Sequence, residues 1–188
     1  MKAESTDLPG NGYGPGSFQN PELRKTLALL GAFCLFLSTV EYMIPKPLPF
    51  MRLGLANLPI MLAIDIFPFR VFLMLVAVKI AGQALVTGTL FSYIFLFSLA
   101  GTSLSAVSMF ALRRLLGKKQ PGFIGVGTFG AMVSNLSQLA MAWLFIFRES
   151  VRFIAPPFLA AGLITGISLG IFCEYFTRHS KWYAMRIL

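Results

Sequence analysis

The sequence predicts an all-α integral membrane protein, a six-transmembrane-helix bundle with both termini cytoplasmic. Three observations predict it. Hydrophobic residues make up 56% of the 188 residues and charged residues only 12%, about half the charged share of an ordinary soluble domain. The apolar residues fall in long runs, and the length allows about six spans of roughly 20 residues with short loops. Basic residues cluster in alternate breaks between those runs. A mean hydropathy of +0.75 excludes a soluble enzyme of ordinary type, a disordered chain and a disulfide-stapled module.

The elements follow in order. Residues 1–21 read as a flexible cytoplasmic tail: the run from Pro9 to Gly16 is Gly- and Pro-rich and cannot pack as a helix. That stretch has no apolar core, so no cleavable signal peptide is expected. The membrane domain is expected over residues 22–178. Its first span runs from about Thr26 to Ile44, with Glu41 as its only charge. Pro45, Pro47 and Pro49 then favour an extended path. The second span, about Leu53 to Phe67, is short; Pro59 is expected to kink it, and Asp65 and Arg70 close it, forming a cap or pair. The third covers Val71 to Thr87 and contains Lys79, with Gly88 in the turn. Spans two and three also fit a single re-entrant hairpin, but two crossings make the charge distribution consistent. The fourth span, Leu90 to Leu112, is uncharged. Pro121 and Gly122 start the fifth, which stays uncharged to Phe147. Pro156 and Pro157 mark the start of the sixth, which ends near Phe176. Residues 179–188 form a short basic cytoplasmic tail.

Six crossings put Lys2, Arg24, Lys25, Arg70, Arg113, Arg114, Lys118, Lys119, Arg178, Lys181 and Arg186 on one side, against Lys46, Arg52, Arg148 and Arg152 on the other. Short cytoplasmic loops hold the Lys/Arg excess, so both termini face inward in a multi-pass protein of the cell (inner, cytoplasmic) membrane. The net charge of +9 therefore reads as orientation signal. No nucleic-acid partner is expected, because no basic stripe interleaves with stacking aromatics. The partner that composition does imply is the lipid bilayer.

Catalytic chemistry is scarce. The only histidine is His179, and the only aspartates are Asp7 and Asp65. Clustered metal ligands and phosphate-cradling loops are absent from the pattern, and Cys34 and Cys173 lie in apolar runs without CxxC spacing. No catalytic residue, metal or cofactor is expected, and the protein is not expected to be an enzyme.

Polar residues inside apolar spans stand out instead. Ionisable groups there are costly, and they face a cavity, a partner or a substrate. Glu41, Arg52, Asn57, Lys79, Gln83, Asn135 and Gln138 fall on the outer half of several spans. Lys79 and Gln83 are four apart, and Asn135 and Gln138 three apart, so each pair shares a helix face. Tyr42, Phe91 and Tyr93 offer aromatic walls. Apolar walls with a few fixed polar groups make a small-molecule pocket. Each residue also has a structural reading. Glu41 and Lys79 suit a neutralising pair, Arg52 snorkels to lipid phosphate, and Asn135 and Gln138 serve as interhelical hydrogen-bond glue. Small residues recur at packing spacing at Ala28 and Ala32, Ala77 and Ala81, and Gly162, Gly166 and Gly170.

The run Arg52-Leu53-Gly54-Leu55-Ala56-Asn57-Leu58-Pro59, after a Pro-rich loop, resembles the [KR]-L-G-L-A-N signature of a membrane family. So do Gly88 to Tyr93, Ser98 to Gly101 with Leu104-Ser105, Gly125 to Gly127, Asn135 to Leu139, and Ala161 to Gly166. The chain is thus similar to the Gx transporter family, labelled heptaprenyl diphosphate synthase component I, over roughly residues 25–175. The label conflicts with the residues, since polyprenyl diphosphate synthases use aspartate-rich motifs. What the resemblance implies is an S-component-like subunit of an energy-coupling-factor transporter, with six helices and an outward pocket for a micronutrient or an isoprenoid, flavin or quinone-type solute. It implies a transmembrane coupling subunit and ATPase subunits as partners, with Ala28, Gly31 and Ala32 as the docking face. The rival reading is a non-transporting membrane partner of an extracytoplasmic electron-transfer or prenyl-lipid enzyme complex.

Overall fold

The computed structural model describes residues 21–45, 54–117, 122–147 and 150–187. Among them every regular element is helical. The long helices are α1 (Pro21–Met43), α3 (Phe69–Val86), α4 (Tyr93–Leu116), α5 (Phe123–Ala142) and α6 (Val151–His179). Between α1 and α3 lie a single 3₁₀ turn, Leu55–Asn57, and the six-residue helix α2 (Leu58–Ala63). The last element is α7 (Lys181–Ile187).

Four of these helices, α1, α3, α4 and α6, are long and apolar enough to cross a membrane, so this is a multi-pass membrane protein. The fifth expected span is present as α5, extended by a π-helical turn over Trp143–Phe147. It falls outside that group because Ser134, Asn135, Ser137 and Gln138 dilute its hydropathy. The second expected span is not a continuous helix. Six residues rise only about 9 Å, against a hydrocarbon core of about 30 Å. All six residues of α2 are buried, and α2 packs against α1, α3, α5 and α6. Backbone that is not a full-length helix is tolerated at membrane depth where protein covers it.

Pro59, expected to kink a span, and Pro156 and Pro157, expected to start one, act differently. Pro59 sits in the first turn of α2, where a missing N–H costs nothing, so it starts the helix rather than kinking one. Pro156 and Pro157 lie inside α6, which begins at Val151. The core runs through α2: Ile60, Ala63, Phe72, Leu75, Ala106, Val126 and both free cysteines, Cys34 and Cys173, are fully or almost fully buried.

The Gly162–Gly166–Gly170 row packs α6 onto α5 within the chain. A Cβ on Gly166 would lie 2.7 Å from Ala131 Cβ and 3.0 Å from Gly127 O, and one on Gly170 would lie 2.9 Å from Phe123 O. The absence of side chains lets the two backbones meet. Ala77 and Ala81 do not share this role, because they face outward from α3.

One end of the bundle is closed by ions and rings. Asp65 pairs with Arg113, not Arg70: Nε and Nη2 of Arg113 donate to Oδ1 and Oδ2 at 3.1 and 2.7 Å, with the two side chains 7% and 5% exposed. The Arg113 guanidinium lies 4.7 Å above the Phe123 ring, which meets Tyr183 edge-on. Glu174 caps α5 by accepting from Phe123 N–H at 2.9 Å. Residues 181–187 therefore form a docked helix rather than a plain tail. Tyr183 is buried, Arg186 reaches Glu22 at the start of α1 at 3.1 Å, and burial pushes the Tyr183 phenol well above its ordinary pKa. The expected tail over residues 1–21 lies outside the described residues, except for Pro21, which begins α1.

Arg113→Ala leaves a buried carboxylate without its fork and should cost about 3–5 kcal/mol of stability. Arg70→Ala, at an exposed site, should stay within about 0.5 kcal/mol. Unfolding of the two variants in detergent, followed by circular dichroism, checks the contrast.

Candidate functional site

Gly54 takes the left-handed conformation, φ 83°, and this turn presents backbone amides toward the end of α1. Glu41, 2% exposed, accepts from Gly54 N–H at 3.3 Å and Ala56 N–H at 3.4 Å. Two residues beyond Leu55, Asn57 ends the turn. Its Oδ1 accepts from Lys79 Nζ at 3.0 Å, and Thr102 Oγ1 on α4 accepts from the same ammonium at 3.1 Å. Lys79 is 3% exposed. One turn further along α3, Gln83 shares its face, and the Gln83 Oε1 is buried with no hydrogen-bond partner.

These groups meet at a cavity of about 30 Å³, room for about two or three waters at the ~10–15 Å³ that each requires. Glu41, Asn57, Lys79, Gln83 and Asn135 all line it. Gln138 stands directly behind: its Nε2 donates to Ser134 Oγ, a lining residue, at 3.0 Å. Asn135 Nδ2 donates across to Phe158 O on α6 at 3.0 Å, which is the interhelical role weighed above. The site is therefore polar and convergent, and its described polar groups bond mostly to one another or to nearby backbone.

The aromatic walls are not at this site. Phe91 is fully exposed, Tyr42 and Tyr93 are 62% and 52% exposed, and Tyr93 packs against Phe97. Tyr93 opens α4, more than two helical turns from Thr102. Arg52 lies outside the described residues. The apolar lining comes instead from Met61, Met109 and Leu169, facing Gly127, Gly130 and Gly166. A Cβ on Gly127 would lie 2.8 Å from Met61 Cε, and one on Gly130 would run into the Met109 side chain. The two thioethers occupy the space these glycines leave, and unbranched methionine adapts to such gaps.

Thr102, Ser134 and Thr165 also line the cavity and were not singled out from sequence. A hydroxyl in an apolar helix is a weak signal because it so often bonds its own i−4 carbonyl. A second surface feature involves the small residues of α1. Ala28 and Ala32 are exposed and Gly31 is buried, and all three line a shallow groove with Met74 and Val78 of α3. The site lies well away from the ionic end, since Thr102 precedes Arg113 by eleven residues of α4, about 16 Å of helix.

Compared with known proteins, the chain matches the family described as Heptaprenyl diphosphate synthase component I over residues 30–176. No curated protein matches it, and no solved structure does. The matched range contains Glu41, Asn57, Lys79, Gln83 and Asn135, and in the groove it takes in Gly31 and Ala32 but not Ala28.

Glu41→Ala takes the acceptor from the buried Ala56 amide and the half-buried Gly54 amide and should cost about 1.5–3 kcal/mol. Glu41→Gln, which keeps one acceptor oxygen, should lose less. Thermal unfolding of the detergent-solubilised protein reads both.

Proposed function

Because the chain belongs to the Heptaprenyl diphosphate synthase component I family, a transporter-type membrane family, we propose that it is a substrate-binding membrane subunit of the S-component type. It captures a small micronutrient or an isoprenoid, flavin or quinone-type solute from outside the cytoplasmic membrane. The observation that carries this reading is the convergence of Glu41, Asn57, Lys79, Gln83 and Asn135 on one cavity within an apolar bundle. Such groups are costly at membrane depth and are retained where they handle polar cargo. The basic residues at the Asp65–Arg113 end support a cytoplasmic placement for that end. The cavity then lies toward the outer half, in a six-crossing arrangement whose second crossing is broken around α2.

Release into the cell is driven by a transmembrane coupling subunit and ATPase subunits, which dock on the groove of Ala28, Gly31 and Ala32. Small residues there let a partner helix approach the backbone closely. Catalysis is not part of this reading. The single membrane-domain aspartate, Asp65, is engaged by Arg113 and is not available for a diphosphate-bound metal.

The internal satisfaction of the site favours one other reading. With Lys79 bonded to Asn57 and Thr102 and only about 30 Å³ open, the polar cluster also suits a scaffold. The chain would then be a non-transporting partner of an electron-transfer or prenyl-lipid enzyme complex, docked through the same groove.

Affinity purification in mild detergent, with mass spectrometry of proteins and small molecules, separates the two readings. Solute capture predicts a retained small molecule together with ATPase subunits. Lys79→Ala should weaken solute retention about ten- to a hundredfold, the loss of a charged hydrogen bond. Ala28→Trp with Ala32→Trp should deplete the ATPase subunits and leave solute binding intact. A redox or prenyl enzyme recovered without ATPase subunits or solute supports the scaffold.

A further inference from the structure

The unmet hydrogen bonds of the cavity bear on what it receives. Gln83 is 6% exposed and lines the cavity, and Gln138 is 1% exposed just behind it. The Oε1 of each is buried without a donor. Folded proteins leave few such acceptors unmet, because each forfeits the hydrogen bond it made with water.

We propose that the polar group this cavity accepts is an uncharged hydrogen-bond donor, an alcohol O–H or an amide or imide N–H, and not a diphosphate or other anion. The inference rests on the solute-capture reading and narrows its substrate class. With the Gln83 amide oriented as it is here, an anion brings acceptors only and leaves the oxygen unmet. It also meets the Glu41 carboxylate, itself held by two backbone amides. A cation meets the Lys79 ammonium. Among the described residues lining the cavity, Glu41 and Lys79 are the ionisable ones, and they carry opposite formal charges. A neutral O–H or N–H satisfies Gln83 at no such cost. Space for the rest of the ligand comes from Met61 and Met109, whose flexible side chains lie over Gly127 and Gly130.

The test uses three probes with one apolar body: geraniol, geranyl methyl ether and geranyl diphosphate. Their binding to the full-length protein in detergent is measured by titration calorimetry, for wild type and Gln83→Met. Geraniol should bind at least about tenfold more tightly than either analogue, the discrimination of one buried hydrogen bond. Gln83→Met should abolish the preference for geraniol over the ether while leaving the ligand-free melting temperature unchanged or raised. Equal binding of geraniol and the ether, or tighter binding of the diphosphate, overturns this inference alone, since solute capture would stand. A Gln83→Met variant that melts well below wild type without ligand also overturns it, because the amide would then be structural. Failure of all three probes to bind wild type overturns the capture reading itself for an apolar-bodied solute.

Discussion

A full positive charge in the middle of an apolar bundle is the constraint on which the rest of this structure turns. Moving an ammonium out of water costs several kcal/mol even after relaxation. Lys79, 3% exposed, is tolerated because Asn57 and Thr102 accept from it. Those two bonds tie α3 to the 3₁₀ turn on one side and to α4 on the other. Placing Asn57 fixes the left-handed Gly54 turn, and that turn supplies the amides that hold Glu41. One buried cation thereby organises three segments distant in sequence, and the cavity is what remains between them.

Helix α5 serves packing and polarity at once. Its glycines and Ala131 receive the backbone of α6, while Ser134, Asn135 and Gln138 present hydrogen-bonding groups on the adjoining face. Ser105 on α4 donates to Gly130 O at 2.7 Å, so α4, α5 and α6 are joined by both close backbone contact and polar bonds. A helix this polar is stable in lipid only between neighbours, and it has one on each side.

Much of this was legible in the sequence. Apolar runs and their Pro, Gly and Arg/Lys breaks located α1, α3, α4, α5 and α6, because a span must satisfy its own backbone and so declares itself locally. The convergence of Glu41, Asn57, Lys79, Gln83 and Asn135 was readable too, since a buried ionisable group in lipid has few reasons to exist. Tertiary partners were not readable. Asp65 is bonded to a residue 48 positions away rather than to nearby Arg70, and no local pattern marks that choice. Nor did the aromatics declare their place: Phe91 and Tyr93 are as compatible with an exposed turn as with a cavity wall. The second span misled because hydropathy records apolar content, and α2 is apolar through burial in protein rather than through contact with lipid. Pro59 starts a helix where a kink was expected, and the Pro156–Pro157 pair lies inside α6 where a start was expected, because a proline alone does not tell a first turn from an interior one.

The Lys79–Thr102 bond has a consequence for motion. The contact between α3 and α4 is slight beside those joining α4 to α5 and α5 to α6, so the bundle divides there into a firm half and a looser one, α1 with α3. That ammonium–hydroxyl bond is a clasp across the divide. Anything that drew the lysine hydrogen away from the threonine would loosen the halves where they are least held, so occupancy of the interior and the shape of the outer surface of α1 and α3 would change together.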